Sequence, residues 1–226
     1  MLGLSVIPLV WMRTRLPPSG RVRSLMDKSA LKDITYLAYV AGGMTVFLVL
    51  YTAYFYIQVY TEINHLSSLD FAPYTVTLLN VGSVAGRILP MYVSDKIGVM
   101  NVSIACCFAS AVLGFGWMGL HNLGSVVIWA ILYGVTSGAV VVGVPVAIMA
   151  LSPDMARMGT RLGMAFGVSG ITILVGTPIA GAIFGKFTHE RWLAGIGYSA
   201  GGLILGTCFM LVSWFNVSKK KGTWKI

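Results

Sequence analysis

Six unbroken apolar blocks, each 24 to 29 residues long, constrain this chain more than any other feature: Ile34–Gln58, Phe71–Ser94, Ile97–Leu120, Leu123–Leu151, Leu162–Gly185 and Trp192–Val217. A helix needs about 20 residues to cross the roughly 30 Å hydrocarbon layer of a bilayer, so each block can span with some tilt. A transmembrane barrel would instead show alternating segments of about 10 residues, and these blocks do not alternate. The expectation is an all-α membrane protein with six transmembrane helices. Composition agrees: 57% of the residues are hydrophobic and 10% are charged, against about 25% charged in a soluble domain.

The charges that remain fall between the blocks. Arg13, Arg15, Arg21, Arg23, Lys28 and Lys32 precede the first block, Lys96 separates the second and third, Arg157 and Arg161 the fourth and fifth, and Lys219, Lys220, Lys221 and Lys225 follow the sixth. The alternate connections hold only Lys186 and Arg191, with Glu62, Asp70, Glu190 and the three histidines. By the positive-inside rule both termini face the cytoplasm. The net charge of +9 thus reports topology, and no nucleic-acid partner is expected. The bilayer itself is the first partner. Sequons at Asn101 and Asn216 fall at cytoplasmic helix ends, where glycosylation is not expected.

Three segments follow: residues 1–33 as a linker, 34–217 as the six-helix bundle, and 218–226 as a basic tail. Met1–Met12 is apolar but too short to span, and it stops at the basic, proline-rich Arg13–Pro18. It reads as the inner end of a helix whose beginning is missing. Cys106, Cys107 and Cys208 all lie inside blocks, as small apolar packing residues; neither a disulfide framework nor a metal site is expected. No cofactor and no catalytic residue is expected. An intramembrane enzyme would need a nucleophile, metal ligands or paired acids, and no HExxH motif occurs.

Small residues recur at four-residue spacing, as in Gly82/Gly86, Gly134/Gly138, Gly163/Gly167, Gly181/Gly185 and Gly197/Gly201, which lets helices approach closely in lipid. Pro145 and Pro178 lie inside blocks and are candidate kinks. Arg87 is the charge well inside a block. An intramembrane arginine costs several kcal/mol unless it snorkels, pairs or faces water, and its planar fork suits a carboxylate. It either anchors an anionic substrate or pins helices at the interface. Asn80 and Ser83 share its helical face, and the stripe Asn80–Ser83–Arg87 is expected to face the bundle interior. The aromatic run Tyr51–Gln58, with Tyr54 and Gln58 as its polar members, reads as an interfacial belt or part of an outer gate.

At this point the motifs carry a family resemblance. GRILPMYVSDKIGVMN (Gly86–Asn101) resembles the loop after the eighth helix of fungal monocarboxylate-transporter-like members of the major facilitator superfamily. YFYIQVY (Tyr54–Tyr60) resembles the end of their seventh helix, GTRLGMAF (Gly159–Phe166) with GTPIAGAI (Gly176–Ile183) their eleventh, and RTRLPP the segment after their sixth. The resemblance implies a twelve-helix transporter of two six-helix halves, of which this sequence is similar to the last. It implies a gating role for Asp95, Lys96 and Gly98, and it aligns Arg87 with the arginine that holds the substrate carboxylate in animal relatives. Two departures stand out: Ser83 replaces an acid one turn before that arginine, and Ala53 replaces a frequent proline. All seven acids sit at helix ends or in loops, so no proton carrier is evident in the spans. The expected function is secondary transport of a small organic anion by alternating access, with a second six-helix half supplied by another copy or a separate chain. The alternatives are an inactive truncated transporter or a membrane assembly partner.

Overall fold

A computed structural model describes residues 26–66, 71–152, 155–185 and 188–224. The expectations placed on Met1–Met12, Arg13–Pro18, Asp70, Asp154, Lys186 and Lys225 fall outside these residues. Within them the chain forms seven α-helices and no strand: α1 (Ile34–Leu50), α2 (Thr52–Ile63), α3 (Tyr74–Ile97), α4 (Val99–Gly116), α5 (Leu123–Ala150), α6 (Met155–Phe184) and α7 (His189–Lys221). Taking α1 and α2 as one span, six helical segments are long and apolar enough to cross a membrane. Helices are the form that satisfies every backbone polar group without water. This is the expected all-α architecture.

The helix ends follow local chemistry. Asp33 caps α1 by accepting from the Thr35 N–H at 3.1 Å, and Asn122 and Ser125 form a reciprocal capping box on α5, each satisfying otherwise orphaned donors. Gly98, at φ 98°, makes the turn from α3 into α4, a conformation that glycine adopts at little cost.

Two sequence boundaries need correcting. The first apolar block is not one continuous helix: it breaks at Tyr51 into α1 and α2 and runs on to Ile63, with Glu62 inside α2 rather than in a connection. The carbonyl of Leu50 at the break accepts from the Tyr133 hydroxyl at 3.0 Å, so α5 props the interruption. Conversely, α5 and α6 run through Pro145 and Pro178, and α3 runs through Pro90, without interruption. In addition, α6 starts at Met155, which places Arg157 and Arg161 within its first turns rather than between spans.

Close helix crossings assemble the bundle. On α3 and α5, Gly82, Gly86, Gly134 and Gly138 interlock: a methyl on Gly82 would strike the Ile131 carbonyl, on Gly86 that of Val135, on Gly134 that of Leu79, and on Gly138 that of Ser83. The other anticipated pairs do not interlock in this way; Gly163, Gly167, Gly197 and Gly201 have nothing within 4 Å of a Cβ. Helix α1 packs on α7 and α6, and α4 bridges α5 and α7. Between the histidine-bearing helix ends, Tyr60, Trp117, Trp129, Tyr133, Phe184 and Trp192 form an aromatic core, with Trp129 stacked on Tyr133 at 5.0 Å. The aromatic run of the first span is thus partly core: Ile57 and Tyr60 are buried, Phe55 is exposed.

Candidate functional site

The bundle buries its helices unevenly. Of the most apolar stretch of each span, 56% is buried in α5 but only 24% in α3 and 17% in α6. Helix α3 also contacts α2, which begins just after the Tyr51 break.

Arg87 lies ten residues from the end of α3 at Ile97, about 15 Å along the axis at 1.5 Å per residue. It is exposed, and it sits close enough to act electrostatically on Tyr51 at the break. Tyr51 is half-buried, with its ring 5.8 Å from that of Tyr54. The Tyr54 hydroxyl shares a 2.9 Å hydrogen bond with Ser137 Oγ on α5. Ser137 also donates to the Tyr133 carbonyl at 2.6 Å, so a polar chain runs from the break into the α5 backbone. One turn beyond Tyr54, Gln58 Nε2 donates to Glu62 Oε1 at 2.9 Å.

The predicted stripe Asn80–Ser83–Arg87 divides. Ser83 is buried against Gly138 of α5, whereas Asn80 and Arg87 are exposed. The glycine crossing explains the split. Leu79, Gly82, Ser83 and Gly86 form the face that meets α5, and Asn80 and Arg87 lie on its edge. The expectation that the whole stripe faces the interior is therefore corrected. Asn80 Nδ2 is engaged by its own helix, donating to the Val76 carbonyl at 2.9 Å.

The remaining candidates lie elsewhere. Asp95 and Lys96 are exposed in the last turn of α3 beside the Gly98 turn. Pro145 adjoins a nearly filled apolar seam with Phe47, Leu162, Ala165 and Phe166, between α1, α5 and α6. Pro178 is exposed on α6, two residues from the contact of Gly176 with the Leu48 carbonyl. The histidines are exposed at one end of the bundle, and no group of three or more His, Cys, Asp or Glu fit to hold a metal occurs among the described residues.

Sequence reasoning missed two features. Tyr51 was one letter of an aromatic run, and nothing in its spacing announced a break. Arg161 was counted as a connection charge, yet its side chain is 3% exposed. Its Nε donates to Asp27 Oδ2 at 3.0 Å and its guanidinium lies over the Tyr36 ring at 5.2 Å. The signal was present as acids on one side of the first span, Asp27 and Asp33, facing an arginine on another.

No protein-family model matches the chain. It is similar to the MFS-type transporter dbaD of Emericella nidulans, 34% identical over 191 residues that make up 84% of this chain and 43% of the relative. An MFS-type transporter of Gibberella zeae is 28% identical over 92% of this chain and 47% of its own length. The aspyridones efflux protein apdF of Emericella nidulans is 28% identical over 83% of this chain and 38% of its own length. The chain thus spans less than half the length of these curated relatives.

Proposed function

We propose, from its similarity to MFS-type transporters and from six membrane-length helices that fit half of a major facilitator fold, that the chain forms one half of a secondary transporter for a small, monocarboxylate-like organic anion. The observation that carries this reading is the exposed Arg87, ten residues inside α3 and within electrostatic reach of the Tyr51 break, on one of the two least buried spans. Interrupted helices recur at transporter substrate sites because they free backbone groups near the bilayer centre. A guanidinium in such a place holds a carboxylate through a two-pronged, charge-assisted contact.

In this reading α3 and α6 face a second six-helix half, another copy or a separate chain, and the substrate binds between the halves. Asn80 offers the anion the second N–H of its amide, Tyr54 and Gln58 line the path toward the histidine end, and Ser83 sets the seat of α3 on α5 rather than touching substrate. Asp95, Lys96 and Gly98 brace the opposite end, where both termini lie on the cytoplasmic side. The rocking of one half against the other provides alternating access. The efflux function named for apdF suggests the outward direction.

The test is saturable flux of labelled monocarboxylates in membranes containing the chain. Arg87→Ala lowers kcat/KM about 100-fold while leaving insertion intact, and Arg87→Lys recovers only part of it because the bidentate geometry is lost. Unchanged kinetics in the alanine variant would remove Arg87 from the substrate site.

A further inference from the structure

The basic end of α6 carries a second cluster that the transport site does not use. Arg161, 3% exposed in the second turn of α6, reaches back to the segment that precedes α1. Its Nε donates to Asp27 Oδ2 at 3.0 Å and its Nη2 to Ser29 Oγ at 3.3 Å. Ser29 Oγ in turn donates to Asp27 Oδ1 at 2.6 Å. Tyr36 on α1 closes the loop, with its ring under the guanidinium and its hydroxyl donating to the Arg161 carbonyl at 2.7 Å. The Asp27 N–H points at Met164 Sδ, one turn farther along α6, at 3.4 Å. Arg157 adds a weaker, exposed contact to the same pair, 3.7 Å from Asp27 and 3.2 Å from Ser29.

The third arm of the guanidinium is incomplete. Arg161 Nη1 is buried with no hydrogen-bond partner and stands 3.7 Å from Asp33 Oδ2. Asp33 meanwhile spends its Oδ1 on the α1 cap. A buried guanidinium with one arm short of its acceptor is held by its other contacts, and breaking such a pair leaves an uncompensated charge.

What this cluster closes is visible one turn away. Leu162, Ala165 and Phe166 of α6 meet Phe47 of α1 and Val144, Pro145 and Ile148 of α5 in a seam with room for only about 10 Å³. Farther along, α6 is loosely seated: Gly159, Gly163, Gly167 and Gly170 have open space where a side chain would stand, and its next tight approach to α1 is Gly176 against Leu48. The seam at the basic end therefore depends on its polar contacts as well as its packing.

We propose that Arg161, with Asp27, Ser29 and Tyr36, is a latch that shuts the α1–α5–α6 seam at the basic end, and that this seam opens only when α6 swings away from the segment before α1. The inference builds on the transport reading, in which that end faces the cytoplasm. Arg161 acts as a positioning residue: it fixes α6 and touches no substrate.

Hydrogen exchange on the chain in lipid nanodiscs tests it. In Arg161→Gln, amides of residues 26–36 and 157–164 exchange about tenfold faster, while those of α3 and α5 keep their protection. Asp27→Asn gives a smaller rise in the same segments, and the two changes together add nothing to Arg161→Gln, because they remove one shared interaction. The exchanged pair Asp27→Arg with Arg161→Asp restores protection. Unaltered exchange in both single variants overturns the latch, and so does a rise spread evenly over all spans, which would mark a merely structural residue. In flux measurements Arg161→Gln changes kcat while KM for the anion stays within about twofold. If exchange responds as stated while neither the wild-type chain nor any variant carries anions, the latch stands and the transport reading falls.

Discussion

Helices α3 and α6 are the two most exposed spans, yet opposite means hold them to the bundle. Helix α3 is fastened largely backbone to backbone, its glycines interlocked with those of α5 and the small Ser83 side chain set against Gly138. Helix α6 meets its neighbours closely at Gly176 and Gly181 and relies on an ion-paired cluster at one end. A crossing of interlocked glycines gains its energy from many short contacts at once and has no intermediate position. A salt-bridged end can let go and re-form. The difference teaches that two lightly buried helices can be held by contacts of different kinds, and α3, held by its backbone crossing, is where Arg87 sits.

The largest effect expected from this contrast is at the crossing. Gly86→Leu or Gly134→Leu should lower unfolding free energy by about 3 kcal/mol, read by circular dichroism in mixed micelles, because neither carbonyl opposite can retreat. Tyr133→Phe should cost about 1 kcal/mol, since the Leu50 carbonyl at the break loses its donor; an unchanged value would mean that α5 does not prop the interruption. Acid should loosen α6 selectively. The Ser29 hydroxyl and then the Arg161 guanidinium hold the Asp27 carboxyl down at about 2. Because the folded value lies below the ordinary one near 4, the contribution is complete above about pH 4 and is lost as pH falls toward 2. Protection of residues 157–164 should fade across that window before that of α3 does. The smallest effect is at an open glycine: Gly163→Ala should alter stability by less than about 1 kcal/mol, in the stabilising direction expected of alanine in a helix. A large loss there would mean that α6 is packed more tightly than described.

The six spans were legible because lipid demands long apolar helices, and the first two glycine pairs were legible because close crossings demand small residues at four-residue spacing. Which pairs meet was not legible. Gly82/Gly86 and Gly163/Gly167 have the same spacing, and only the partner helix decides that the first pair is buried and the second open. The Asn80–Ser83–Arg87 stripe shares one limit, since helical spacing places residues on a face but not that face against a neighbour. The break at Tyr51 escaped notice because it lacks both proline and glycine and depends on a hydroxyl 83 residues away in the chain. Prolines at 145 and 178 pointed instead to helices that stay continuous. Arg161 was hidden by its position among cytoplasmic charges, where a count of basic residues treats a buried guanidinium and a solvated one alike.

The central claim is that α3 and α6 are left exposed for a second six-helix half. Native mass spectrometry of the chain released from lipid nanodiscs, with a cysteine-directed label at Leu174→Cys, tests it most directly. Leu174 is the site because it is 75% exposed on α6. The account predicts an assembly containing a second half, heavier than the 24.2 kDa chain, in which that cysteine resists labelling. A 24.2 kDa monomer labelled freely at Leu174→Cys, yet still carrying anions, would contradict it.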